Sequence, residues 1–294
     1  FIIASMAKDN PASPGLMETL SSMSAADVID SVKGAALFEG ELAWLFWVCL
    51  IGYCAANCTA VLNASPKIRF VHGLVLLTMN SYGGSTIAAI LCGQPVPFVV
   101  NEKLIAGLVG TWVVAYTLPG LPKMIKNTAV GSILISVCFE TIRCHVMMNC
   151  QAMALGVLKA GWLSASLGAS VPVVGPIIAG AIGGCGGGFF PLDKGLKPLE
   201  AETAWRVTSG FYGAAWLTLL HPSLYGSAAA KYFPLLADAS WVRFCVISFF
   251  VLAPLVQMLA PGLSNNVFGT NPLVTKPPVF LANQVPASPS KKKD

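Results

Sequence analysis

Charge is what this sequence has least of. Asp, Glu, Lys and Arg make up 11% of its 294 residues, against roughly 25% in a soluble domain. So few charges cannot cover a water-facing surface, and a soluble enzyme is excluded. A strong charge balance is missing too. The net charge is +5, and much of it sits in Lys291, Lys292 and Lys293, so nucleic acid is not an expected partner. The nine cysteines form no CxxC pair and lie in apolar stretches, which reads as small buried thiols rather than a disulfide frame or a metal site. No nucleophile–base set, metal-ligand spacing or phosphate loop is present, so no enzymatic activity, metal or catalytic residue is expected. The opening Phe1-Ile2-Ile3-Ala4-Ser5 is too short for a signal h-region.

What is present is apolar sequence. Hydrophobic residues make up 55% of the chain and mean hydropathy is +0.70. That surplus must face lipid, which demands helices that satisfy their own backbone hydrogen bonds. Seven runs come close to the ~20 residues of one span. They cover about Leu42–Leu62, Phe70–Cys92, Leu104–Pro122, Thr128–Leu158, Gly161–Phe190, Thr203–His221 and Trp241–Pro261. The fourth and fifth are over-long and should tilt, kink or break; Pro172 and Pro176 interrupt the fifth. The expected organisation is a polar N-terminal segment (1–40), a seven-span membrane domain (41–262) and a disordered cytosolic tail (263–294). Within the first segment, Met17–Phe38 has helical apolar spacing broken by Asp27, Asp30 and Lys33, as in a short helix lying on the membrane.

Loop charges give the spans a direction. With Arg206 counted among the loop residues, one side holds 11 Lys and Arg, including those of the C-terminal tail, and the other holds 6. The tail is therefore expected in the cytosol and the N-terminus in a lumen. The ending Lys291-Lys292-Lys293-Asp294 fits a dilysine retrieval signal of the endoplasmic reticulum, and equally a plain solubilising tail. The Asn63-Ala64-Ser65 sequon falls in a loop on the cytosolic side, so it should be unused.

Two glycine clusters occupy matching places. The second span holds Tyr82-Gly83-Gly84-Ser85, and the fifth holds Gly183-Gly184-Cys185-Gly186-Gly187-Gly188. Each span is second in a group of three, so the second group would be inverted relative to the first. Paired glycine interruptions of that kind point to a site between inverted repeats. Glycine can let a helix unwind and present carbonyls, or let helices pack closely. The fourth span carries the deep charges Glu140 and Arg143. Three residues apart, they share a helix face. They form a buried ion pair, line a watery path or meet an anionic lipid.

With these residues in view, the sequence resembles the trimeric intracellular cation channels, from about Met17 to Leu259. The second span is the most telling, with Tyr82-Gly83-Gly84 followed by Ile90-Leu91 and Gly93-Gln94-Pro95. Trp112 with Pro119, Glu140 with Arg143, and Gly184 with Gly186 are similar to further family motifs. The resemblance implies an all-α membrane fold of two inverted three-helix repeats plus a seventh helix. It also implies a homotrimer with one pore per protomer, conducting potassium and other monovalent cations as counter-ions for calcium release. Arg143 would be the contact for a phosphoinositide or other anionic lipid. Pore or helix-break positions would be Gly83, Gly84, Glu140, Arg143, Gly184, Gly186, Gly187 and Gly188. Charged family positions fall here on Phe139, Ala89, Leu121 and Gly183. Those departures keep open a non-conducting accessory subunit of a larger membrane complex.

Overall fold

The computed structural model describes residues 24–118, 120–160, 173–185, 187, 205–221 and 226–259, and these are helical with no strand among them. The chain divides into two units, Phe1–Ala43 and Trp44–Asp294.

In the first unit, α1 spans Ala25–Leu37. A capping box starts it. Ser24 Oγ accepts from the Asp27 N–H at 3.2 Å, and the Asp27 carboxylate accepts from the Ser24 N–H at 3.0 Å. Phe38, left-handed at φ 58°, ends it. The helix predicted over Met17–Phe38 is thus present from Ala25; residues 17–23 lie outside the described residues.

The second unit is a helix bundle. Its helices are α2 (Leu45–Ala64), α3 (Phe70–Leu91), the single turn α4 (Pro97–Val100), α5 (Glu102–Thr117), α6 (Gly120–Asn127), α7 (Ala129–Ala160), α8 (Val174–Gly184), α9 (Trp205–Leu220), α10 (Ser227–Tyr232) and α11 (Ala239–Leu259). Four helical stretches are long and apolar enough to cross a membrane: Phe70–Leu91, Val130–Val157, Ala239–Gln257 and, at the C-terminal end of the Ala26–Ala64 stretch that Phe38 and Gly40 interrupt, α2. The other runs predicted as spans contain α5 and α9, at 16 residues each, and α8, at 11. By helical rise α8 is about 16 Å long and too short to cross alone; residues 161–172, with Pro172, lie outside the described residues, as does the tail from Gly262. Pro176 falls in the first turn of α8, where its missing N–H costs no helical bond. The fourth run is one 32-residue helix, α7, about 48 Å long.

α7 is the hub, packed against α2, α3, α8, α9 and α11. Small residues let these helices approach. A Cβ on Gly52 of α2 would lie 2.6 Å from Cys138 Cβ of α7, and one on Gly180 of α8 would lie 2.9 Å from Ala214 Cβ of α9. Away from the hub, α3 and α5 lock through Trp112. Its ring fills the space beside Gly73, and its indole N–H donates to the Phe70 carbonyl at 3.1 Å. Gly93, at φ 62°, turns the chain out of α3.

Candidate functional site

Glu140, Arg143, Met147 and Gln151 recur at three- and four-residue spacing along α7, so they share one face, and that face meets α9. Contacts advance together along both helices: Glu140 with Trp205, Arg143 with Ser209, Gln151 with Thr218. α9 therefore runs parallel to α7.

The deep charges are paired. Arg143 Nη2 lies 2.9 Å from Glu140 Oε2, and each side chain is 1% exposed. The Trp205 indole N–H donates to the other carboxylate oxygen, Oε1, at 3.1 Å. Arg143 Nη2 also donates to Ser209 Oγ, and that hydroxyl donates to the Trp205 carbonyl. Aromatic faces close the remaining sides, with Arg143 Cζ 4.8 Å from the Phe250 ring centroid and 5.9 Å from that of Trp205. Of the three environments open to Glu140 and Arg143 on sequence grounds, this is the ion pair. A lipid phosphate at Arg143 would have to enter this aromatic enclosure and compete with Glu140. Arg143 Nε and Nη1 have no hydrogen-bond partner among the described residues.

A second guanidinium sits beside the pair. Arg206, counted above with the loop charges, is the second residue of α9, and its Cζ lies 4.6 Å from the Phe139 ring. The correction leaves the loop bias in the same direction, with ten cations against six. The loop reading failed because Arg206 follows Lys194 and Lys197 closely in sequence; the signal against it was the apolar run Thr203–His221, which already contains Arg206. The cluster now holds two cations and one anion. The Tyr53 ring also stacks on Phe139, at 4.9 Å and 25°. The Tyr53 hydroxyl donates to the Ser81 carbonyl at 2.6 Å, and Asn57 Nδ2 donates to Ser81 Oγ at 3.2 Å. Asn57, Ser81 and Tyr53 thus form one polar group on α2 and α3, and the apolar ring of Phe139 stands between it and Arg206. Further along, Gln151 Nε2 donates to Thr218 Oγ1 and to the Ala214 carbonyl. Trp205, Arg206, Ser209, Tyr53, Asn57 and Ser81 escaped the sequence reading, because each is ordinary for its helix and only the fold brings them together.

The glycine clusters divide. α3 runs without interruption through Gly83 and Gly84, both buried, so the break suggested there is absent; a single helix satisfies its own carbonyls at that point. α8 does stop in its glycine run, at Gly184. Gly184 is also a packing residue: an added Cβ would lie 3.1 Å from Met147 Cβ and 3.3 Å from Gly210 Cα. At Gly187 an added Cβ would collide with the α3 backbone, 2.4 Å from Asn80 Cα. Gly186 and Gly188 lie outside the described residues. Among the described residues no three His, Cys, Asp or Glu side chains converge as metal ligands. Compared with protein-family models, curated proteins and solved structures, the chain matches none.

Proposed function

We propose that this chain is a monovalent cation channel, passing potassium, in an intracellular membrane, with the ion path in a closed arrangement. One observation carries the reading: Glu140 and Arg143 are ionisable, paired and 1% exposed in the middle of a helix apolar enough to span a membrane. Ionisable groups at membrane depth are expensive, and they mark ion or substrate paths by default. Apolar residues of equal size would pack the same space at lower cost. The first helices of the two proposed repeats, α2 and α7, pack together, with Tyr53 stacked on Phe139 and Gly52 against Cys138. On this reading seven spans form two inverted repeats plus α11, and protomers assemble as a homotrimer. The chain resides in the endoplasmic reticulum with a lumenal N-terminus and a cytosolic tail, and it supplies counter-ion flux for calcium release. An anionic lipid would act by drawing Arg143 away from Glu140. Purified protein in planar bilayers should pass potassium, and Glu140→Gln, which strips Arg143 of its counter-charge, should change the current. Repeated silence from well-folded protein would overturn the proposal.

A second reading is a non-conducting accessory subunit of a larger membrane complex. The pair's 1% exposure favours it, as does Phe139 where the family carries a lysine. Co-purification with other subunits at fixed stoichiometry would support this reading. Recovery only as a free homo-oligomer would sink it.

A further inference from the structure

Cys49 and Cys138 are 89 positions apart in the sequence, yet the fold brings their thiols within hydrogen-bonding reach of each other. Gly52 makes this approach possible. It lies three residues after Cys49, on the same face of α2. An added Cβ at Gly52 would lie 2.6 Å from Cys138 Cβ and 3.0 Å from Cys138 Sγ. A small residue at the crossing lets α7 come this close to α2, and the Tyr53–Phe139 stack holds the same crossing one residue further along each helix. A disulfide spans Cβ atoms about 3.8 Å apart, a separation that two helices reach where a small residue stands between them. Both thiols are free and half-buried, whereas Cys54, Cys58, Cys144, Cys150 and Cys185 are buried. Cys49 is the fifth residue of α2, about 6 Å from the start of that helix, so it lies near a helix end.

We propose that Cys49 and Cys138 are an oxidisable pair, which a small-molecule disulfide converts into a bond that staples α2 to α7. One protein thiolate attacks a sulfur of the reagent and displaces a small thiolate, leaving a mixed disulfide. The second protein thiolate attacks the protein sulfur of that mixed disulfide and displaces the other small thiolate. One S–S bond breaks and one forms. The two cysteines are oxidised by two electrons in all, and the reagent is reduced to two thiols that carry off the two protons. The new bond fixes the α2–α7 crossing one residue from Phe139 and two from Glu140. The docking of α2 on the helix that carries the ion pair thereby becomes redox-sensitive. The inference does not depend on whether the protein conducts, because the bond is read directly.

The test is treatment of the full-length protein in membranes with dipyridyl disulfide, an apolar reagent that can enter the bilayer. Free thiols are then alkylated, and linked peptides are located by mass spectrometry without reduction. The peptides holding Cys49 and Cys138 should be found joined to each other, and dithiothreitol should separate them. Cys49→Ser and Cys138→Ser should each remove that link, and Cys54→Ser should leave it. Gly52→Val keeps both thiols but pushes α7 from α2, so it should lose most of the link. Because the bond closes an 89-residue loop, the oxidised parent protein should melt higher than the reduced one. Cys49 and Cys138 both remaining open to alkylation in the folded, oxidant-treated parent would overturn the proposal. So would a link that forms only after denaturation, or one that fails to raise the melting temperature, since either would mean that the native crossing does not fit the bond.

Discussion

The Trp205 indole N–H holds Glu140 Oε1 at 3.1 Å, and the carboxylate's other oxygen meets Arg143 at 2.9 Å. The indole fixes which way the carboxylate faces. A charge-assisted hydrogen bond of this kind stabilises more than a neutral one. It also joins the first turn of α9 to the middle of α7, so the pair reports on how those helices dock.

Breaking that pair one side at a time should be far worse than removing both. Arg143→Met leaves the Glu140 charge buried without its counter-ion, and Glu140→Gln does the reverse. Each should cost about 3–5 kcal/mol. The double variant should recover most of that loss, because a buried pair is often close to neutral against apolar replacements. Thermal unfolding of the four proteins in detergent, read as a double-mutant cycle, measures the coupling. Additive losses would show that the two side chains act independently.

Most of the helix positions were legible in the sequence, and most of the site was not. Seven apolar runs marked where α2, α3, α5, α7, α8, α9 and α11 fall, because hydrophobic length is local information. Glu140 and Arg143 were legible as a pair for the same reason, being three residues apart on one helix. Arg206 was misread as a loop cation. Its partner is the Phe139 ring, 67 positions earlier, and no local pattern reports such a contact. The break expected at Gly83 and Gly84 illustrates a different limit. Glycine permits unwinding and close packing alike, and α3 stays helical through both residues.

Glycine substitutions along α7 and α8 should divide by what a Cβ would meet. At Gly183 it would lie 2.6 Å from Cys150 Sγ, and at Gly180 2.9 Å from Ala214 Cβ. Gly183→Val and Gly180→Val should each force α8 away from its neighbours and cost about 1–3 kcal/mol, as overpacking does. Gly156→Ala meets nothing within 4 Å. It sits within α7, so the gain in helix propensity should leave it neutral or stabilised by up to about 1 kcal/mol. Melting temperatures of the three variants decide the matter. A loss at Gly156→Ala equal to the others would remove the packing argument.

α1 should respond to acid. Its Asp27 carboxylate accepts from the Ser24 N–H at 3.0 Å and from Ser24 Oγ at 2.7 Å, and the bonds to Ser24 hold its pKa below the ordinary value. A depressed folded-state pKa means that the contribution is present above the unfolded value, about 3.9, and is lost as pH falls through the folded one. A peptide covering residues 20–40 should keep its helicity from neutral pH to about pH 4 and lose part of it below. Asp27→Asn should flatten that step. Circular dichroism across the range checks both, and a step of equal size in Asp27→Asn would place the titration elsewhere.

Phe139 stands where the resembled family carries a lysine, and the packing gives a reason. Its ring contacts the Tyr53 ring at 4.9 Å and the Arg206 guanidinium at 4.6 Å. Two cations already share this region with one anion, so a lysine here would add a third positive charge with no partner. Phe139→Lys should therefore destabilise severely, through charge repulsion and burial of an unpaired ammonium. Phe139→Leu keeps the apolar character and loses the two ring contacts. It should cost about 1–3 kcal/mol, from the cation–π and stacking terms. If the family-like lysine needs only a vacated neighbour, Arg206→Leu should rescue Phe139→Lys, restoring one cation for the one removed. Folded yield and melting temperature of the single and paired variants read this directly. A stable Phe139→Lys single variant would mean that Arg206 is free to swing out of the cluster, and that its contact with the Phe139 ring is not what holds the start of α9 against α7.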